Sequence, residues 1–84
     1  MLISINRKKI ASDEHFDKIH SPDKKGFIRD YINIMRILHI LPVPGDTVGE
    51  VSSLIKYDNG DDIVWYEAEQ PPNLISQMMN RAKL

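Results

Sequence analysis

The stretch KKGFIRDYINIMRILHIL, residues 24–41, decides how the rest of the chain is read. At about 100° per residue it gathers Phe27, Ile28, Tyr31, Ile34, Met35, Leu38 and Leu41 on one broad apolar arc, the pattern of an amphipathic helix. The opposite side collects Lys25, Arg29, Asn33 and Arg36, while Ile32, Ile37 and Ile40 fall off the arc and imply cover from another element. Ser21 followed by Pro22 supplies a start signal, because proline at the first helical position gives up only an N–H that has no partner there. The expectation is a long helix over about 22–40. The competing reading makes ILHIL, 37–41, a strand; in either case PVPG at 42–45 ends the element, since two prolines and a glycine cannot continue a helix.

Upstream, LISIN is a short strand, and Ser12 before Asp13 and Glu14 has the order of an N-cap followed by acids in the first turn, predicting a short helix from about Asp13 to His20. Downstream, β-branched and aromatic residues over 48–57 and 63–68 flank DNGDD, and Asn59-Gly60 is a hairpin signal because a type I′ turn needs positive φ at both central positions. Centring the turn there pairs Ile55 with Val64, Leu54 with Trp65, Ser52 with Glu67 and Glu50 with Glu69. The breaker QPP precedes a last helix that Asn73 can cap, with Leu74, Ile75, Met78, Met79 and Ala82 on one arc. The predicted fold is a single α+β domain over 1–84, ordered β-α-α-β-β-α, with the hairpin packed on the long helix.

Eighty-four residues suffice for one core, since a second would need about 50 more. The hydrophobic fraction of 42% and twelve isoleucines argue against disorder. A domain this small with no cysteine to staple it gains from further burial, so a homo-oligomer is a possible state. Lack of cysteine removes disulfides and thiolate chemistry and fits a reducing compartment. The start MLISINRKKIAS reverses the order of a signal peptide, and no segment reaches the ~18 apolar residues of a membrane span, so the expectation is a soluble cytoplasmic protein with no membrane partner.

The net charge of −1 conceals an uneven distribution: residues 1–42 carry eight Lys/Arg against five Asp/Glu, and residues 43–84 carry three against seven. Asp58, Asp61 and Asp62 surround the turn, where aspartate is at home. Asp46, Glu50, Glu67 and Glu69 are not required by turn chemistry, and the Glu50–Glu69 opposition would be unfavourable in a sheet pair, which hints at a use on a partner. A calcium loop fails on spacing, because Gly60 follows only Asp58 and Asn59 and no glutamate stands six residues beyond it. His15 and His20 sit five apart, about 140° round a helix, and His39 stands apart from both, so no metal site is expected. There is no nucleophile elbow or phosphate loop, and chains of this length rarely enclose a substrate pocket of several hundred Å³ without pairing.

These features predict a non-enzymatic, cofactor-free protein-binding module, an inhibitor or regulator. It presents Glu50, Asp58, Asp61, Asp62, Glu67 and Glu69, with Trp65 or Tyr66 as anchor, to a basic partner such as a nucleic-acid-handling enzyme. The alternative is a nucleic-acid binder using Arg7, Lys8, Lys9, Lys25, Arg29 and Arg36. Two helices followed by a hairpin resemble a winged helix-turn-helix, although an acidic wing would be repelled by the phosphate backbone.

Overall fold

The structure, a computed structural model, describes residues 1–10, 13 and 26–83. Five strands, β1 (Leu2–Lys8), β2 (Phe27–Asn33), β3 (Ile37–Pro44), β4 (Val51–Asp58) and β5 (Ile63–Ala68), form one antiparallel sheet in the order β2-β1-β5-β4-β3. Its one α-helix among the described residues, α1 (Pro72–Ala82), packs over β1 and β3. The architecture is α+β, as expected, but the order and the long helix are not. The predicted helix over 13–20 lies outside the described residues apart from Asp13.

Residues 22–40 do not form a helix where they are described. They make β2, a single 3-10 turn at Ile34–Arg36, and most of β3, so ILHIL is strand. Two local features break the simple alternation by which a strand is recognised. On β2 the inward positions are Ile28, Asp30 and Ile32, so an inward acid separates two isoleucines four residues apart. On β3 the register shifts between Ile37 and His39, which brings Ile37 and Ile40 to the same face at a spacing of three. The apolar arc is therefore not a buried face: Ile28 and Ile34 are buried but Tyr31, Met35, Leu38 and Leu41 are exposed, while the off-arc Ile32, Ile37 and Ile40 are the ones that meet the core.

β2 and β3 lie at opposite edges yet are joined by three residues. A flat five-stranded sheet would hold its edges about 19 Å apart. That link reaches at most about 14 Å, so the sheet curls until its ends approach. Its inner side carries the core, Ile3, Ile5, Ile32, Ile34, Ile55, Tyr57, Tyr66 and Ala68, with Ile75 of α1 inserted. Met78, Met79 and Ala82 pack beside Ile75. Pro71, rather than Asn73, occupies the helix N-cap and makes no side-chain bond there.

The inner side also carries a charge. Arg7 is 1% exposed and Asp13 4%. Arg7 Nη1 and Nη2 donate to the two Asp13 carboxylate oxygens at 2.6 and 3.0 Å, and Nε donates to Asp30 Oδ2 at 2.8 Å. The guanidinium lies 4.1 Å from the Tyr66 ring centroid. Burial works against the Arg7 charge, yet the hydrogen bonds and fields of Asp13 and Asp30 outweigh it and raise the pKa. Burial likewise disfavours the Asp13 carboxylate, but Arg7 and the Ile10 N–H prevail and lower its pKa. Burial raises the Tyr66 hydroxyl, with the Arg7 charge opposing it.

At β2 the Ile34 N–H donates to the Met1 carbonyl, so the backbone N–H and C=O groups of even-numbered residues point toward β1 and those of odd-numbered ones toward the open edge. The outward N–H of Tyr31 donates to Asp30 Oδ1 and that of Asn33 to Tyr57 Oη. The other edge, β3, holds Pro42 and Pro44.

Arg7→Ala leaves the buried Asp13 carboxylate and the partly buried Asp30 carboxylate without their cation and is expected to lower stability by about 3–5 kcal/mol in denaturant titration. Because the native Asp13 pKa is depressed, its contribution is complete above about pH 4 and is lost as pH falls through the native value. Asp13→Asn is therefore expected to flatten the acid limb of the stability curve, measured by thermal melting at a series of pH values.

Candidate functional site

Strand alternation separates the nominated residues. The β4–β5 hairpin keeps the predicted faces but not the predicted register: Leu54 pairs with Glu67, Ile55 with Tyr66, Lys56 with Trp65 and Asp58 with Ile63. The pairing is displaced by two residues because the loop contains four, Asn59 to Asp62, instead of two. Gly60, at φ +99°, is its one residue with positive φ, so Asn59 does not adopt the type I′ conformation. Asn59 Oδ1 accepts from the N–H groups of Asp61 and Asp62, and Asp58 Oδ1 accepts from that of Gly60. Asp62 Oδ1 accepts from Ile63 N–H. Asp58 and Asp62 therefore serve the turn, and the expected Glu50–Glu69 and Ser52–Glu67 oppositions do not occur.

Glu50, Glu67 and Glu69 lie away from that turn and border one cleft. They are joined by Asp46, which sequence reasoning grouped with the acids without nominating it as a contact. The cleft, about 300 Å³, opens on the outer face of the sheet between the β3–β4 connection and the neighbouring ends of β1, β2 and β5. Phe27, Val43, Pro44 and Val51 give it apolar walls. The connection is held closed by Gly45 N–H donating to the Glu50 carbonyl at 2.7 Å and Glu50 N–H to the Thr47 carbonyl at 3.0 Å. Glu50 crosses so close over Gly45 that an added Cβ would stand 2.9 Å from Glu50 Cβ. Glu69 is fixed from both ends: its N–H donates to the Asn6 carbonyl at 2.7 Å and its carboxylate accepts from Asn6 Nδ2 at 3.3 Å.

Among the described residues Lys8 is the cation that lines this cleft, with Nζ 2.6 Å from Glu67 Oε2. Phe27 could not be foreseen as a wall while 22–40 read as a helix. The legible signal was PVPGDTVGE itself, a breaker-rich connection that carries two acids between apolar runs.

Of the aromatic pair, Tyr66 points inward under Arg7 and is buried, whereas Trp65 is 41% exposed on the outer face with Lys56 Nζ 5.8 Å from its ring centroid. Ile63, Leu41 and Tyr31 are further exposed apolar residues on that face. The residues of the alternative reading do not form a stripe. Arg7 is buried in ion pairs, Lys8 is bound to Glu67, and Arg29 is exposed on β2. Arg36 lies beside the acidic turn, its Nη1 3.1 Å from where a Gly60 Cβ would stand. Lys9 is half-buried next to the Arg7–Asp13 pair, and Lys25 lies outside the described residues. His39 is on β3 rather than on a helix, and no group of three or more His, Asp or Glu among the described residues has the geometry to hold a metal ion. No helix among them is long and apolar enough to cross a membrane.

Comparison of the chain with protein families, with curated proteins and with solved structures finds no match.

Trp65 is the chain's one tryptophan, so its emission reports on the outer face. Acrylamide is expected to quench the native protein substantially, though less efficiently than the denatured one, since Trp65 is 41% exposed. Strong protection in the native state would mean that the face is covered.

Proposed function

We propose that the protein is a non-enzymatic binding module that recognises a basic surface on another protein through the cleft bordered by Asp46, Glu50, Glu67 and Glu69. The observation that carries this reading is the convergence of four carboxylates on one apolar-walled cleft, opposed there, among the described residues, by a single lysine. A cluster of like charges is unfavourable in the free protein and is relieved by a cationic partner, which also gains on-rate from the field. Trp65, two residues along β5 from Glu67, stands about 7 Å from it on the same face and suits an aromatic anchor beside the charged contact. A regulator or inhibitor of a nucleic-acid-handling enzyme remains the kind of role this charge complementarity fits. The nucleic-acid alternative gains no support from a surface on which Arg7 is buried and Lys8 is tied to a glutamate.

The test is affinity capture from the native host at low and high salt, comparing the wild-type chain with Glu50→Gln/Glu67→Gln/Glu69→Gln and with Asp61→Asn. Capture of a basic partner is expected to fall at least tenfold for the triple variant, to weaken with salt, and to persist for Asp61→Asn. Capture unchanged in the triple variant rejects the cleft. Salt-dependent gel-shift of nucleic acid that is abolished by Arg29→Glu/Arg36→Glu rejects protein binding in favour of the alternative.

A further inference from the structure

Lys8 occupies the place that a partner's cation would take. Its ammonium lies 2.6 Å from Glu67 Oε2 and 5.8 Å from the Phe27 ring centroid, held between a carboxylate and an aromatic ring. These are the two kinds of group that recognise an organic cation, and here the chain presents them to its own side chain. The Lys8 side chain is nevertheless 53% exposed, and an ion pair with that access to water is weak. Its backbone is fixed by pairing with Phe27, so the side chain can leave the cleft without disturbing β1.

We propose that Lys8 is an internal stand-in ligand, filling the cleft in the free protein and displaced by an arginine side chain of the partner. This rests on the reading of the cleft as the partner site. Arginine is the better competitor for three reasons. Its planar fork can donate to two carboxylates together, whereas the tethered Lys8 ammonium pairs with Glu67. Its flat face can stack on an aromatic ring such as Phe27, and a guanidinium gives up its water more readily than an ammonium. Its methylene stem suits walls made by Val43, Pro44 and Val51. A built-in competitor also raises the threshold for binding, so single weak cations are rejected while a well-placed arginine is accepted.

The experiment is calorimetric titration of the full chain with an oligoarginine peptide, comparing wild type with Lys8→Met and Lys56→Met. Both substitutions remove one positive charge from the same outer face, but Lys56 stands beside Trp65 outside the cleft. Lys8→Met is expected to tighten binding roughly two- to fivefold, with a clearly smaller change for Lys56→Met. Lys8→Gln, a polar replacement suited to an exposed strand position, is expected to move in the same direction. Equal tightening by both methionine variants would reduce Lys8 to its net charge and overturn the stand-in role, as would weaker binding of Lys8→Met. Oligolysine binding as tightly as oligoarginine would overturn the preference for arginine. Glu67→Gln/Glu69→Gln separates the two levels: oligoarginine binding lost in this variant retains the cleft whatever Lys8 does, and binding that persists overturns the cleft and the stand-in together.

Discussion

Arg7 is the residue on whose position the rest of the structure depends. A guanidinium cannot be taken from water without partners, and this one finds them in three other parts of the chain: Asp30 on β2, Asp13 in the connection that follows β1, and the Tyr66 ring on β5. It also stands opposite Ala68 where β1 meets β5, the contact that unites the β1–β2 pair with the β3–β4–β5 meander. Side chains alternate along a strand, so placing Arg7 inside obliges Lys8 to point outward toward Glu67. The buried ion pairs and the surface cleft are therefore consecutive consequences of one register. A slip by one residue would expose Arg7 and bury Lys8 without a partner.

The hairpin, its faces, the terminal helix and the first strand were legible because each is a local pattern: apolar alternation, a loop of turn-forming residues, an apolar arc after a proline breaker. Apart from the competing reading of ILHIL as strand, residues 27–44 were not, because their pattern is completed by residues distant in sequence. Asp30 is intelligible on an inward strand position only once Arg7 is known to face it, and the Ile37–Ile40 spacing only once the bulge is known. The register of the hairpin failed for a smaller reason. Asn-Gly favours a two-residue loop in isolation, but the Asn59 side chain accepts two backbone N–H groups and stabilises a wider one.

The candidate site was legible in part. The acids on the strands and flanks were separable from those of the turn by asking which ones turn chemistry needs, and Glu50, Glu67 and Glu69 do border the cleft. Their common location could not be read from the sequence, because it depends on the β3–β4 connection closing over the ends of β1 and β2. The basic run RKK illustrates the converse. Three consecutive cations suggest one patch, but the strand sends Arg7 and Lys8 to opposite faces, and only side-chain alternation distinguishes their fates.

The two edges of the sheet share a property with consequences for assembly. On β3 two prolines offer no N–H, and on β2 the outward N–H groups of Tyr31 and Asn33 are already held by Asp30 and Tyr57. At these positions both edges are blunted as templates for an incoming strand. A chain so rich in isoleucine would otherwise be prone to stack into cross-β ladders when concentrated. With that route hindered, association depends more on side chains than on the backbone, which is the same in every protein. Recognition can then be retuned by single substitutions that leave the sheet unchanged.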